Sequence, residues 1–193
     1  MSIDGEEVVR LDAASEDESS LLANLLELYI HDLSEIFDFV RLGADGRFGY
    51  PRLASYWSEP NSRFPFLIRR AGKVAGFALA QRGSPLSDDP HVFDVAEFFV
   101  LRGERRSGVG ARAAALLWDR LPGRWIVRVA ESNRSGLPFW TRAVKDYAGD
   151  AVIQTQHDSA PHRWQVFAFD TRPSAVPGAR QSGYAPGSVD RVR

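Results

Sequence analysis

The sequence predicts a single α/β domain: a central mixed, mostly antiparallel β-sheet flanked by helices. Three observations lead there. Segments with apolar residues at alternate positions interleave with segments whose apolar residues recur at three and four, from one end of the chain to the other. A strand–helix–strand passage at residues 92–130 reads as a parallel crossover, right-handed by the usual rule, in a sheet that also holds an antiparallel hairpin. At 193 residues, 44% hydrophobic and 25% charged, the chain has the size and composition of one globular domain, which excludes a disordered or fibrous protein.

The elements follow in order, within a domain spanning 5–170. A short strand at 7–11 opens it. Ser15 and Glu18 have capping-box spacing and announce a helix, along which Leu22, Leu25, Leu26, Tyr29, Leu33, Ile36 and Phe37 form one apolar stripe. The glycine-bearing loop from Gly43 to Gly49 ends it, and a short helical piece follows near 53–57. Strands at 66–70 and 74–81 flank the compact turn Ala71-Gly72-Lys73, which reads as a hairpin. A strand rich in valine and phenylalanine covers 92–101. The alanine-rich segment 108–121 is helical and is stopped by Pro122-Gly123. A strand at 125–130, a helix at 135–147 and strands at 151–155 and 163–169 complete the order β-α-β-β-β-α-β-α-β-β. Residues 171–193 hold three prolines and three glycines and almost no large apolar side chains, so they read as a flexible C-terminal tail.

Composition narrows the chemistry. With no cysteine there are no disulfides, thiolate metal sites or cysteine nucleophiles. The four histidines are dispersed and none pairs with metal-helix spacing, so no metal site is expected. The acidic start MSIDGEEVVR does not resemble a signal peptide and no apolar run is long enough to span a bilayer; a cytoplasmic protein with no membrane partner is the expectation. Charge is unevenly spread: residues 102–128 carry seven arginines against Glu104 and Asp119. Such a local excess suggests an anion is met there, and a solvated helix face explains it equally well. The rest of the chain offers no broad basic face, so no nucleic-acid partner is expected.

The most informative stretch is 96–115. A strand ends, a short loop of Arg105, Arg106, Ser107, Gly108, Val109 and Gly110 follows, and a helix starts. Free N–H groups at a helix start form an anion site, and glycines at 108 and 110 let phosphate oxygens approach the backbone. The P-loop pattern is absent, for no Gly-Lys-Ser/Thr occurs, and the strand is not the first of a repeated βαβ array as a dinucleotide fold needs.

These residues resemble the GCN5-related N-acetyltransferase (GNAT) superfamily. Its acyl-CoA signature, Arg/Gln-x-x-Gly-x-Gly/Ala after a strand, is matched by Arg105-Arg106-Ser107-Gly108-Val109-Gly110. The preceding Glu97-Phe98-Phe99-Val100 stands where the family's cofactor-lining strand ends. Asn133 with Phe139-Trp140 is similar to its Asn-x-x-Ala-x-x-Phe-Tyr element, with glycine at 136. The resemblance implies a GNAT-like domain using acetyl-CoA as co-substrate, with the coenzyme A diphosphate on the amides of 105–110. It also implies that the pantetheine arm runs beside Phe99, Val100 and Leu101 and is hydrogen-bonded by Asn133, for which a plain helix cap is the competing reading.

The implied reaction is acetyl transfer to an amine of a small molecule or a protein. An alkylamine, with pKa near 10, must lose a proton first. Glu97, unusual in an apolar strand, is the candidate general base; its alternative is a strand-edge charge in water or paired with arginine. Trp140 occupies the position where the family offers a tyrosine to the leaving thiolate, and an indole is no useful acid. That departure keeps a non-catalytic acyl-CoA-binding domain open as an alternative. The aromatics Tyr29, Phe37, Phe48, Tyr50, Tyr56 and Trp57 read mostly as core. Neither the acceptor nor the oligomeric state is legible.

Overall fold

The computed structural model describes residues 8–171. The strands are β1 (Val9–Ala13), β2 (Arg63–Arg70), β3 (Lys73–Arg82), β4 (Phe93–Val100), β5 (Arg124–Ala130), β6 (Ile153–Ser159) and β7 (His162–Asp170). The helices are α1 (Ser19–Leu33), α2 (Ser55–Ser58), α3 (Val109–Arg120) and α4 (Gly136–Ala148). Together they form a seven-stranded mixed sheet in the order β1-β2-β3-β4-β5-β7-β6, and β4–β5 is its parallel pair. The remaining pairs are antiparallel, as the sequence predicts.

Local chemistry explains most boundaries. The Ser15–Glu18 capping box forms, with the Glu18 carboxylate accepting the Ser15 amide at 3.0 Å. Ala71 and Gly72 both take positive φ, 48° and 78°, the geometry of a two-residue hairpin turn whose twist matches its strands. The first strand lies two residues later than expected, at Val9–Ala13, and Glu7 is outside the described residues, as is the expected tail beyond Thr171. The long helix also stops earlier than its apolar stripe. The Ser34 hydroxyl donates to the His31 carbonyl at 2.6 Å, and Phe37 leaves the helix to stack on Trp164 of β7, ring centroids 5.9 Å apart. Tertiary packing outweighs periodicity there.

Two cores sit on opposite faces of the sheet. On one, α3 and α4 bury Trp118, Leu117 and Val144 against Trp125, Val95, Phe93 and Phe167. On the other, α1 and α2 bury Leu22, Leu26 and Tyr56 against Leu67, Phe77 and Phe99. Edge strand β6 is exposed along its whole length and pairs with β7 alone among the described strands.

The feature that positions the site is the parting of β4 from β5. They pair only at Phe93↔Trp125 and Asp94↔Ile126. Beyond that point β5 follows β7 to Ala130, whereas β4 follows β3 to Val100. A bulge lies just past the branch: Leu79 faces Glu97 and Ala80 faces Val95, which leaves Ala96 unpaired. Bulges bend their strand and sharpen its twist, turning β4 away from β5. At the vertex, Asp94 is fully buried and holds the Arg128 guanidinium at two points, 2.9 and 3.0 Å, while the Ser84 hydroxyl donates to it at 2.6 Å.

Removing one member of a buried ion pair leaves an uncompensated charge. Asp94→Ala is therefore expected to cost about 3–5 kcal/mol in urea unfolding, and the joint change Asp94→Leu with Arg128→Met less than that single change.

Candidate active site

Glu97 acquires its position from the bulge. Side chains on β4 alternate until Ala96, where the extra residue puts Ala96 and Glu97 on the same face, toward α1. In a regular strand alternating on from Phe93 and Val95, Glu97 would point at α3 and α4. Instead each carboxylate oxygen receives a tyrosine. Tyr29 of α1 donates to Oε2 at 2.7 Å, and Tyr50, from the segment before α2, donates to Oε1 at 3.2 Å.

The ionisation of this cluster follows from its enclosure. Burial pushes the Glu97 carboxyl above its ordinary range; the two tyrosine hydrogen bonds and the nearby Arg128 charge pull the other way without cancelling it. Burial and the Glu97 charge push Tyr29 and Tyr50 well above the usual phenol range, so both remain hydrogen-bond donors. Burial also raises Tyr56, to about 12. Glu97 is thus neither a water-exposed edge charge nor an arginine's ion-pair partner, the competing sequence reading. Its proton affinity is raised and its lone pairs are oriented, as a general base needs.

The segment carrying Tyr50 is itself pinned. Glu27 of α1 accepts the amides of Phe48 and Gly49 at 2.8 and 3.0 Å, and chiefly the Phe48 bond holds its carboxyl below the ordinary range. An open pocket of about 510 Å³ borders this segment, lined by Glu27, Asp45, Arg47, Tyr50 and Leu53 among others.

The glycine-bearing loop lies at the end of β4. A turn at Arg102–Glu104 leads to Arg105 in extended conformation, Arg106 at φ 62° and Gly108 at φ 83°, immediately before α3. The amides of residues 106–111 find no protein acceptor among the described residues, and the first helical bond runs from Arg112 to the Gly108 carbonyl. This alternation of extended and left-handed residues before a helix aims several N–H groups into one concavity. Gly110 serves close packing: a Cβ there would sit 3.1 Å from the Phe139 ring. Ser107 donates its hydroxyl to the Glu104 carbonyl at 2.7 Å, and Val109 is buried.

The arginine cluster is less free than the sequence suggests. Arg102 and Arg105 both reach Asp32, Arg128 is committed to Asp94, and Arg120 lies over the Phe66 ring. Arg106 and Arg112 take no carboxylate among the described residues. Asn133 caps α4, its Oδ1 accepting the Gly136 amide at 2.7 Å, and a Cβ at 136 would fall 2.5 Å from its Nδ2, which explains glycine there. Trp140 is a packing residue, buried against Phe98, Phe139 and Trp118. Phe99 and Val100 end β4, and Leu101 follows it.

Sequence reasoning missed the partners of Glu97. Tyr29 and Tyr50 read as core aromatics, and no local signal joins residues so far apart. Asp94 did carry a signal of the same kind as Glu97, an acid within an apolar strand.

Comparison with known proteins matches the model of the "Acetyltransferase (GNAT) family" over residues 26–144. The chain belongs to that family. No curated protein sequence matches it. Among solved structures it is similar to YncA from Salmonella typhimurium, solved with its cofactor acetyl-CoA (12% identity, 89% of this chain and 98% of that chain, TM-score 0.60). It is also similar to RimL, the ribosomal L7/L12 alpha-N-protein acetyltransferase, in complex with coenzyme A (13%, 84% and 94%, 0.61). The spermidine N-acetyltransferase from Vibrio cholerae, in complex with CoA and spermine, shares the fold too (9%, 84% and 95%, 0.59).

Tyr29→Phe and Tyr50→Phe each delete a hydrogen bond that favours the carboxylate. In a ¹³C-detected titration of the Glu97 carboxyl, both variants should titrate at higher pH than the unaltered protein.

Proposed function

We propose that this protein is an acetyl-CoA-dependent N-acetyltransferase, with Glu97 as general base. The observation that carries the proposal is a carboxylate of raised proton affinity, held by two tyrosines, on a strand that has parted from its neighbour. The family assignment and the amide-rich loop at the same strand's end support the cofactor. Acetyl-CoA supplies the acetyl group as an activated thioester.

Under this reading the chain's residues divide the work. The amides of 105–110 and the start of α3 receive the diphosphate, with the side chains of Arg105 and Arg106 alongside. The pantetheine arm runs beside Phe99, Val100 and Leu101; the Leu101 amide is spent on the Ala75 carbonyl at 2.8 Å, so Val100 offers the main-chain groups on the edge that β4 leaves open, and its amide polarises the thioester carbonyl. Asn133, at the start of α4, hydrogen-bonds the arm. Glu97 takes the proton from the acceptor ammonium, directly or through water, and the free amine attacks the carbonyl carbon. A C–N bond forms, the C–S bond breaks, and the thiolate takes up, through water, the second proton that the attacking nitrogen releases, since Trp140 is no acid.

The acceptor is an amine of a small molecule or a protein; neighbours of the same fold are named for spermidine and for a ribosomal protein, so the fold does not select between them. A cysteine-free chain acting on acetyl-CoA fits the cytoplasm. Trp140 favours a second reading, a domain that binds acyl-CoA without turning it over.

Acetyl-CoA at a hundredfold excess over its dissociation constant should stabilise the protein by about 2.7 kcal/mol, measured by thermal unfolding. A thiol-release assay over a panel of amines and peptide N-termini then separates the readings. Glu97→Gln should bind coenzyme A normally and lower turnover by about 10²–10⁴. Binding without thiol release from any amine would support the non-catalytic reading instead.

A further inference from the structure

Asp32 lies near the C-terminal end of α1, and its carboxylate receives both arginines that flank the turn after β4. Arg102 Nη2 donates to Oδ1 at 2.6 Å and Arg105 Nη2 to Oδ2 at 2.8 Å. Arg105 Nε donates at the same time to the Val100 carbonyl at 2.8 Å, and its guanidinium lies over the Phe99 ring, 5.5 Å from the centroid. The side chain is therefore laid back across the last two residues of β4, away from the amide-rich loop that Arg105 itself begins. It occupies the Val100 carbonyl, at the far end of the strand edge left open when β4 parts from β5.

We propose that Asp32 is a positioning residue that acts through Arg105: it latches the arginine across the end of β4 in the free protein, and the coenzyme A diphosphate must take the arginine over for the strand edge to open. The proposal rests on the cofactor reading above. Burial of Asp32 opposes its ionisation, but the hydrogen bonds from Arg102 and Arg105 outweigh burial and hold its carboxyl below the ordinary range, so the latch is charged at neutral pH. It is also reversible. The side chains of Asp32, Arg102 and Arg105 are 21%, 68% and 40% exposed, and ion pairs open to water are individually weak. A diphosphate offers more charge and more acceptor oxygens than one carboxylate, and arginine binds such groups in forked pairs. Once Arg105 turns to it, the Val100 carbonyl loses its partner and becomes available to an amide-bearing arm.

Isothermal titration with coenzyme A itself tests this. Asp32→Asn should bind about three- to tenfold more tightly than the unaltered protein, because two weak ion pairs no longer compete. Removing any negative charge nearby would also favour an anion, so Glu35→Gln is the control. Glu35 influences Arg102 through space without forming an ion pair with it among the described residues. The latch requires a clearly smaller gain for Glu35→Gln, and a reduced Asp32→Asn gain in an Arg105→Gln background. Binding that Asp32→Asn leaves unchanged or weakens overturns the latch, as does an equal gain from Glu35→Gln or a gain indifferent to Arg105. If the unaltered protein fails to bind coenzyme A, the cofactor reading falls first, and the latch with it.

Discussion

β4 and β5 share two residue pairs and then separate, and the geometry of the site descends from that separation. Parallel strands ordinarily stay paired because unpaired main-chain groups in an interior are costly. Here the separation is built in from both sides. The Ala96 bulge bends β4, and β5 is satisfied along its other edge by β7 up to Ala130. The Asp94–Arg128 pair, closed by Ser84, fixes the point where parting begins. A strand edge is thereby freed of its neighbouring strand next to a helix start whose amides have no protein acceptor among the described residues.

The same bulge sets the orientation of the carboxylate. A strand has period two and the bulge interrupts it once, so every residue after Ala96 faces opposite to where uninterrupted alternation would put it. Glu97 thus meets α1 and the segment around Tyr50, where two phenols accommodate it, instead of the apolar face that receives α3 and α4. An unpaired carboxylate in that second core would be driven neutral or would destabilise the fold. Between two donors it is accommodated with raised proton affinity.

Charge around the site is compensated at a distance from it. Asp94 neutralises Arg128 at the vertex, Asp32 holds Arg102 and Arg105 at the strand's end, and Glu27 ties down the segment that carries Tyr50. Helix α1 supplies Glu27, Tyr29 and Asp32, so this one element links Glu97, the pinned segment and the loop of residues 105–110. Its early termination at Leu33, with Phe37 crossing to Trp164, extends that link to β7.

Much of this was legible in the chain itself. Period-two and period-three-four patterns, the Ser15–Glu18 box, the Ala71-Gly72 turn and the Gly108–Gly110 loop act over a few residues, and the elements, their order and the anion-ready helix start follow from them. Glu97 stood out because acids rarely occur in apolar strands; Asp94 carried the same signal and went unread. The partners of those acids did not stand out, because hydrogen bonds between Glu97 and tyrosines on a helix and a separate loop exist only after the sheet is assembled. The bulge was equally hidden: Ala96 fits a regular strand, and only pairing against β3 shows that it has no opposite. Sequence alone settled what each segment would become, since backbone preference and side-chain period are local; which face Glu97 met, and which carboxylates held the arginines, was decided by tertiary packing, since register and long-range charge pairing belong to the whole sheet.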